Sequence, residues 1–108
     1  MSEEQKEIEV YESKRFSKAL SKLSTTQLKI VEDEVEKIIA DPETGELKKG
    51  DLAHLRVHKF RLNNQQALLG YSWLEEKLEL YLLQLGSHEN FYQQMKNRRK
   101  SDSKLIDS

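Results

Sequence analysis

Two stretches in the second half of the chain carry residues able to do chemistry. KKGDLAHLRVHKFR, residues 48–61, holds Lys48, Lys49, His54, Arg56, His58, Lys59 and Arg61. LGSHENFYQQMK, residues 85–96, ends an apolar run at Gly86 and places His88 immediately before Phe91 and Tyr92. The chain has no cysteine, and its three histidines lack HExxH spacing, so thiolate and zincin metal sites are excluded and no metal or cofactor is expected. No glycine-rich phosphate loop is present, and Ser72 and Ser87 lack a nucleophile-elbow context. Arginine, histidine and tyrosine together suit metal-free cleavage of RNA. A base takes the ribose 2′-hydroxyl proton, a cation stabilises the phosphorane, and an acid protonates the leaving oxygen. Histidine suits either proton role because its ordinary pKa is about 6.5.

These residues need elements to position them. IEVYE, residues 8–12, alternates as a short strand. Ser13 caps a helix carrying Phe16, Ala19, Leu20 and Leu23 on one side. Ser24-Thr25-Thr26-Gln27 is a capping box opening a second helix, whose stripe is Leu28, Val31, Val35, Ile38 and Ile39 and which Asp41-Pro42 ends. A loop punctuated by Gly45 and Gly50 leads to three strands, at residues 55–62, 66–74 and 77–85, with turns at Asn63-Asn64 and Glu75-Glu76. The predicted fold class is α+β: an antiparallel meander with an N-terminal strand and a helical hairpin packed on one face, in the order β-α-α-β-β-β plus a C-terminal helix. The domain spans residues 7–97. Residues 1–6 are expected to be flexible, and 98–108 to be a basic, then disordered tail.

Strand alternation places Arg56, His58 and Phe60 on one face and Leu55 and Val57 on the other. Lys59 and Arg61 break that pattern, which implies a bulge or an early departure from the core. The bland alternative is a polar outer strand. His88, following the third strand, can reach the face of Arg56 and His58, with Phe60, Phe91 and Tyr92 available to stack on a base. Its bland alternative is a helix-start residue packed against the sheet end. Glu89 reads as a first-turn carboxylate, and Tyr71 and Trp73 as sheet packing.

Charge is unevenly distributed. Charged residues make up 34% of the chain, and its net charge of −1 divides into −5 over residues 1–47 and +4 over 48–108. A phosphate-bearing partner therefore belongs with the second half. No apolar run approaches the ~18 residues of a membrane span, and MSEEQKEIE has no signal-peptide h-region. With no cysteines, a cytoplasmic location is expected.

The order of elements over about residues 7–97, with GELKKGDLAHLRVHKFR (45–61) and a final strand ending in Gly-x-His-x-x-x-Tyr (86–92), resembles the RelE/ParE superfamily of bacterial toxins, most of all its ParE-like branch. The resemblance implies a toxin of a type II toxin–antitoxin system, neutralised by a cognate antitoxin and meeting operator DNA only through it. RelE-like members cleave mRNA on the ribosome without metal, whereas ParE-like members inhibit DNA gyrase without being enzymes. The first implies an endoribonuclease here, the second a gyrase-binding inhibitor. Carried over by position, the resemblance implies that Lys48, Lys49, Arg56 and Arg61 bind or stabilise phosphate and that His88 and Tyr92 are catalytic. His58, Lys59 and Phe91 complete the expected RNA-binding set.

Overall fold

In a computed structural model that describes residues 7–107, the chain opens with an exposed strand, β1 (Glu9–Glu12). The expected flexible segment 1–6 lies outside the described residues. Ser13 then turns the chain. Its Oγ donates to Leu83 O at 2.6 Å and accepts from Phe16 N at 3.1 Å, capping α1 (Lys14–Ser21) while tying it to the sheet. The Ser24–Gln27 capping box forms reciprocally, with bonds of 3.1 and 3.2 Å, and opens α2 (Thr25–Ala40). Next come β2 (Glu46–Leu47), a 3-10 turn (Gly50–Leu52), β3 (Arg56–Leu62), β4 (Gln65–Leu74), β5 (Glu79–Gly86), α3 (Phe91–Asn97) and α4 (Arg99–Asp107).

The sheet order is β1-β5-β4-β3-β2. The β3–β4–β5 meander is antiparallel, as its turns predict, and β1 adds in parallel to β5, making the sheet mixed. Both faces are covered. On one, Phe16, Val31 and Ile38 of the hairpin pack on Phe60, Leu69, Tyr71, Leu80 and Leu82. On the other, Phe91, Met95 and Ile106 pack on Leu55, Val57, Leu68, Tyr81 and Leu83. This second core explains why β5 is apolar on both sides. The β4–β5 register passes from Gly70↔Gln84 to Tyr71↔Leu82 and leaves Leu83 as an extra residue. That bulge lets Leu83 enter the second core while Gln84 Nε2, next to it, donates to Phe91 O at 3.1 Å.

Three expectations need correction. β3 pairs with β4 without interruption from Arg56 to Leu62, so Lys59 and Arg61 mark no bulge. They continue the row of Val57 beyond the buried part of that face, so of the two readings the early departure from the core holds and the bulge does not. The C-terminal segment is helical rather than disordered. Ile106 is buried, and the Asp102 carboxylate, 1% exposed, receives a two-pronged bond from Arg15 of α1 at 2.8 and 3.0 Å. An 87-residue separation hides that partnership from any local reading of SDSKLIDS. Glu89 precedes α3, whose first turn contains no acidic residue, so it does not serve the helix dipole.

Candidate functional site

The loop after α2 is pinned before it becomes β2. Tyr71 Oη donates to Pro42 O at 2.7 Å and accepts from Gly45 N at 2.9 Å. Gly45 is needed here, since a Cβ would lie 2.7 Å from that oxygen. The pinned loop delivers Glu46 opposite Val57, and Lys48 N bonds Leu55 O at 2.9 Å. Glu46 and Lys48 therefore stand on the α3 side of the sheet edge. Lys48 Nζ forms a 3.0 Å salt bridge to Glu46 Oε1 and sits 5.1 Å from the centre of the Tyr92 ring. The bond to Glu46 outweighs partial burial and raises the Lys48 pKa, so the ammonium stays charged through neutral pH. The same bond lowers the Glu46 pKa, which disfavours Glu46 as a proton acceptor.

His88 also meets the Tyr92 ring. The two rings meet edge-on with centroids 5.8 Å apart, and Phe91 meets Tyr92 in the same way at 5.3 Å. His88 is exposed and lies outside α3. Its carbonyl accepts from Phe91 N at 3.3 Å, so it shapes the turn with backbone and leaves its imidazole to solvent. Lys59 belongs to the same neighbourhood. It pairs with Leu68, which pairs in turn with Gly86, two residues before His88. Arg61 follows one row further out, and both cations are exposed. Lys48, Tyr92, His88 and Lys59, with Arg61 beyond, thus border one open surface at the sheet end where β5 finishes.

Other expected members lie elsewhere. Arg56 and His58 occupy the opposite face, towards the hairpin. Arg56 Nη1 donates to Glu43 O at 3.1 Å and Gly45 O at 2.9 Å, holding the loop before β2. His58 Nε2 lies 2.7 Å from Glu34 of α2, and its ring stacks on Phe60. Arg56 and His58 therefore do not share a surface with His88, as strand alternation had led us to expect. The strand assignment was sound, but His88 joins the other face. Phe60 and Phe91 are buried in the two cores, so neither is free to stack on a base. Lys49 is exposed at the start of the 3-10 turn. Sequence reasoning overlooked Glu46. Its signal is the i, i+2 spacing of Glu46 and Lys48, legible only once residues 46–47 are known to be a strand. Among the described residues, no three His, Asp or Glu side chains are clustered to hold a metal ion.

The family model for ParE-like toxins of type II bacterial toxin–antitoxin systems matches residues 10–96. The chain belongs to this toxin family. Among solved structures it resembles the E. coli toxin RelE within the intact RelBE toxin–antitoxin complex, at 18% identity and a TM-score of 0.62, covering 77% of this chain and 99% of that one. A mutant of E. coli RelE in the free state superposes with a TM-score of 0.63 at 18% identity, covering 79% and 87%. At that identity the likeness is one of fold. No curated protein sequence matches the chain. The match ends at Lys96, so helix α4 of this toxin lies beyond the family's common part. No described helix of the toxin is long and apolar enough to cross a membrane.

Proposed function

We propose that this toxin is a metal-free endoribonuclease that cuts mRNA on the translating ribosome. The observation that carries the reading is the cluster of Lys48, Tyr92 and His88, a fixed cation and an exposed imidazole that both meet one aromatic ring. The ribose 2′-oxygen would attack the adjacent phosphorus as its proton leaves. The bond from phosphorus to the 5′-oxygen breaks, and that oxygen takes up a proton, yielding a 2′,3′-cyclic phosphate and a 5′-hydroxyl. His88 handles one of the two protons. Lys48 is held charged and so serves the phosphorane as a cation, with Lys59 and Arg61 on the flanking phosphates. Tyr92, half-buried and beside Phe91, touches both Lys48 and His88 and offers a ring for a base.

E. coli RelE occurs in complex with the antitoxin RelB. By analogy, we assign this toxin a cognate antitoxin that covers the His88 surface, operator contact through that antitoxin, and action in the cytoplasm. The ParE-like family match supports a second target, DNA gyrase, bound without catalysis. Primer extension on cellular mRNA after induction separates the two. Cuts within translated frames that vanish in His88→Ala support the ribonuclease. Growth arrest with intact mRNA moves the assignment to gyrase.

A further inference from the structure

The strand direction sorts the charge of this molecule. At the β4–β5 turn lie Glu75, Glu76 and Glu79, with Glu9 of β1 paired beside Glu79. At the other end, where β5 finishes and β3 turns into β4, stand Lys59 and Arg61. Helix α1 runs towards that same end, and a groove of about 340 Å³ opens there between α1 and the strand ends. Lys18 of α1 and Lys22 at its C-cap, one turn apart, line the groove, with Gln65 of β4 across from them and Leu85 and Ala67 as apolar floor. Both lysines are exposed, and among the described residues neither is paired with a carboxylate. Arg15, at the inner end, is bound to Asp102 and Gln84. The groove also includes Gly86 and Ser87, so it leads along the backbone directly to His88.

We propose that this groove is a second segment of the nucleic-acid track, which takes the phosphodiester backbone of single-stranded RNA beyond the cleaved bond. Lys18 and Lys22 are its phosphate contacts, and the Gln65 amide, in the row of Ala67, is a neutral donor. The strand would cross the sheet end from Lys59 and Arg61, pass His88 and continue between α1 and β4. Two lysines at one-turn spacing match successive phosphates, and no carboxylate is among the described residues that line the groove. The carboxylates named above lie at the opposite end of the sheet from the groove.

The proposal rests on the ribonuclease reading, so the test separates the two. Binding of a short single-stranded RNA is measured by anisotropy across a salt series, using His88→Ala and the same chain with K18A/K22A added. Removing two phosphate contacts is expected to weaken binding about tenfold at low salt and reduce the magnitude of the log–log salt slope by about 1.4. K18R/K22R should restore both. In cells, K18A/K22A in the otherwise unaltered chain should weaken the cuts without moving them. Unchanged RNA affinity and slope, with His88-dependent cuts still present, overturn the groove assignment alone. Loss of antitoxin binding with RNA binding intact overturns it too and makes the groove a protein site. Intact mRNA on induction of the unaltered chain overturns the ribonuclease reading and the groove with it.

Discussion

At the scale of single residues, the candidate site depends on how each charge is held. Lys48 is held by Glu46 and by the Tyr92 ring, whereas His88 is exposed and meets that ring edge-on. The two substitutions should therefore behave differently. His88→Ala removes the proposed proton-transfer group from a surface turn, so on the ribonuclease proposal cleavage should fall about a thousandfold with an unchanged melting temperature. Lys48→Met keeps the stem over Tyr92 but removes the charge proposed to serve the phosphorane. It should lower cleavage about a hundredfold in an in vitro translation assay. Equal activity of Lys48→Met and the parent would remove Lys48 from the site. Arg56→Ala should act through folding, because its guanidinium holds the Glu43 and Gly45 carbonyls and faces away from His88.

At the scale of elements, two long-range contacts decide where the site-bearing segments sit. Tyr71 of β4 holds the loop that supplies β2, and Arg15 of α1 holds α4. Tyr71→Phe deletes one donor and one acceptor in a buried place. A loss of about 2 kcal/mol in urea denaturation is expected, with a smaller drop in cleavage as β2 and Lys48 loosen. Arg15→Ala leaves the Asp102 carboxylate buried without its partner, a situation that costs about 3 kcal/mol. Arg15→Ala combined with Asp102→Asn should recover part of that loss, and a double variant no more stable than Arg15→Ala would show that the ion pair is not what holds α4. The hairpin, by contrast, was readable from local signals. Ser13 and Ser24 cap the two helices where expected, because a cap bonds to an amide three residues away.

At the scale of the whole molecule, acid should destabilise the fold in two steps. Burial lowers the His54 pKa below its ordinary value of 6.5, and its Nε2 has no hydrogen-bond partner among the described residues. Between those two values the unfolded chain binds the proton that the folded chain refuses, so stability falls as pH drops below about 6.5. Glu34 shifts for a different reason. Its burial would raise the pKa, but bonds from His58 and Lys37 outweigh burial and leave it below its ordinary 4.5. Its contribution is present above that value and is lost as pH falls through the folded value. Urea midpoints measured from about pH 7 to pH 5 should decline in the parent chain and stay flat in His54→Gln. A parallel decline in both would assign the effect to other groups.

Much of the architecture was legible because it is written in short-range chemistry. The capping box, the Asp41-Pro42 stop, the asparagine and glutamate turns and the apolar periodicity each act within a few residues. Together they determined the helical hairpin and the antiparallel meander. The presence of the GELKKGDLAHLRVHKFR stretch and of His88 and Tyr92 was equally plain. The partners of these side chains were not. Which face His88 joins depends on the direction the chain takes after Gly86, and this sends it to Lys48 and Tyr92 rather than to Arg56 and His58. Glu46 joins the site only because Tyr71, 26 residues away from Gly45, holds the preceding loop. The polar C-terminus becomes a helix because one buried aspartate meets an arginine 87 residues earlier. Local propensity acts through neighbours in the chain, so the sequence alone determined the elements. Charge pairing and burial act through space, so only the tertiary structure decided which residues form the site.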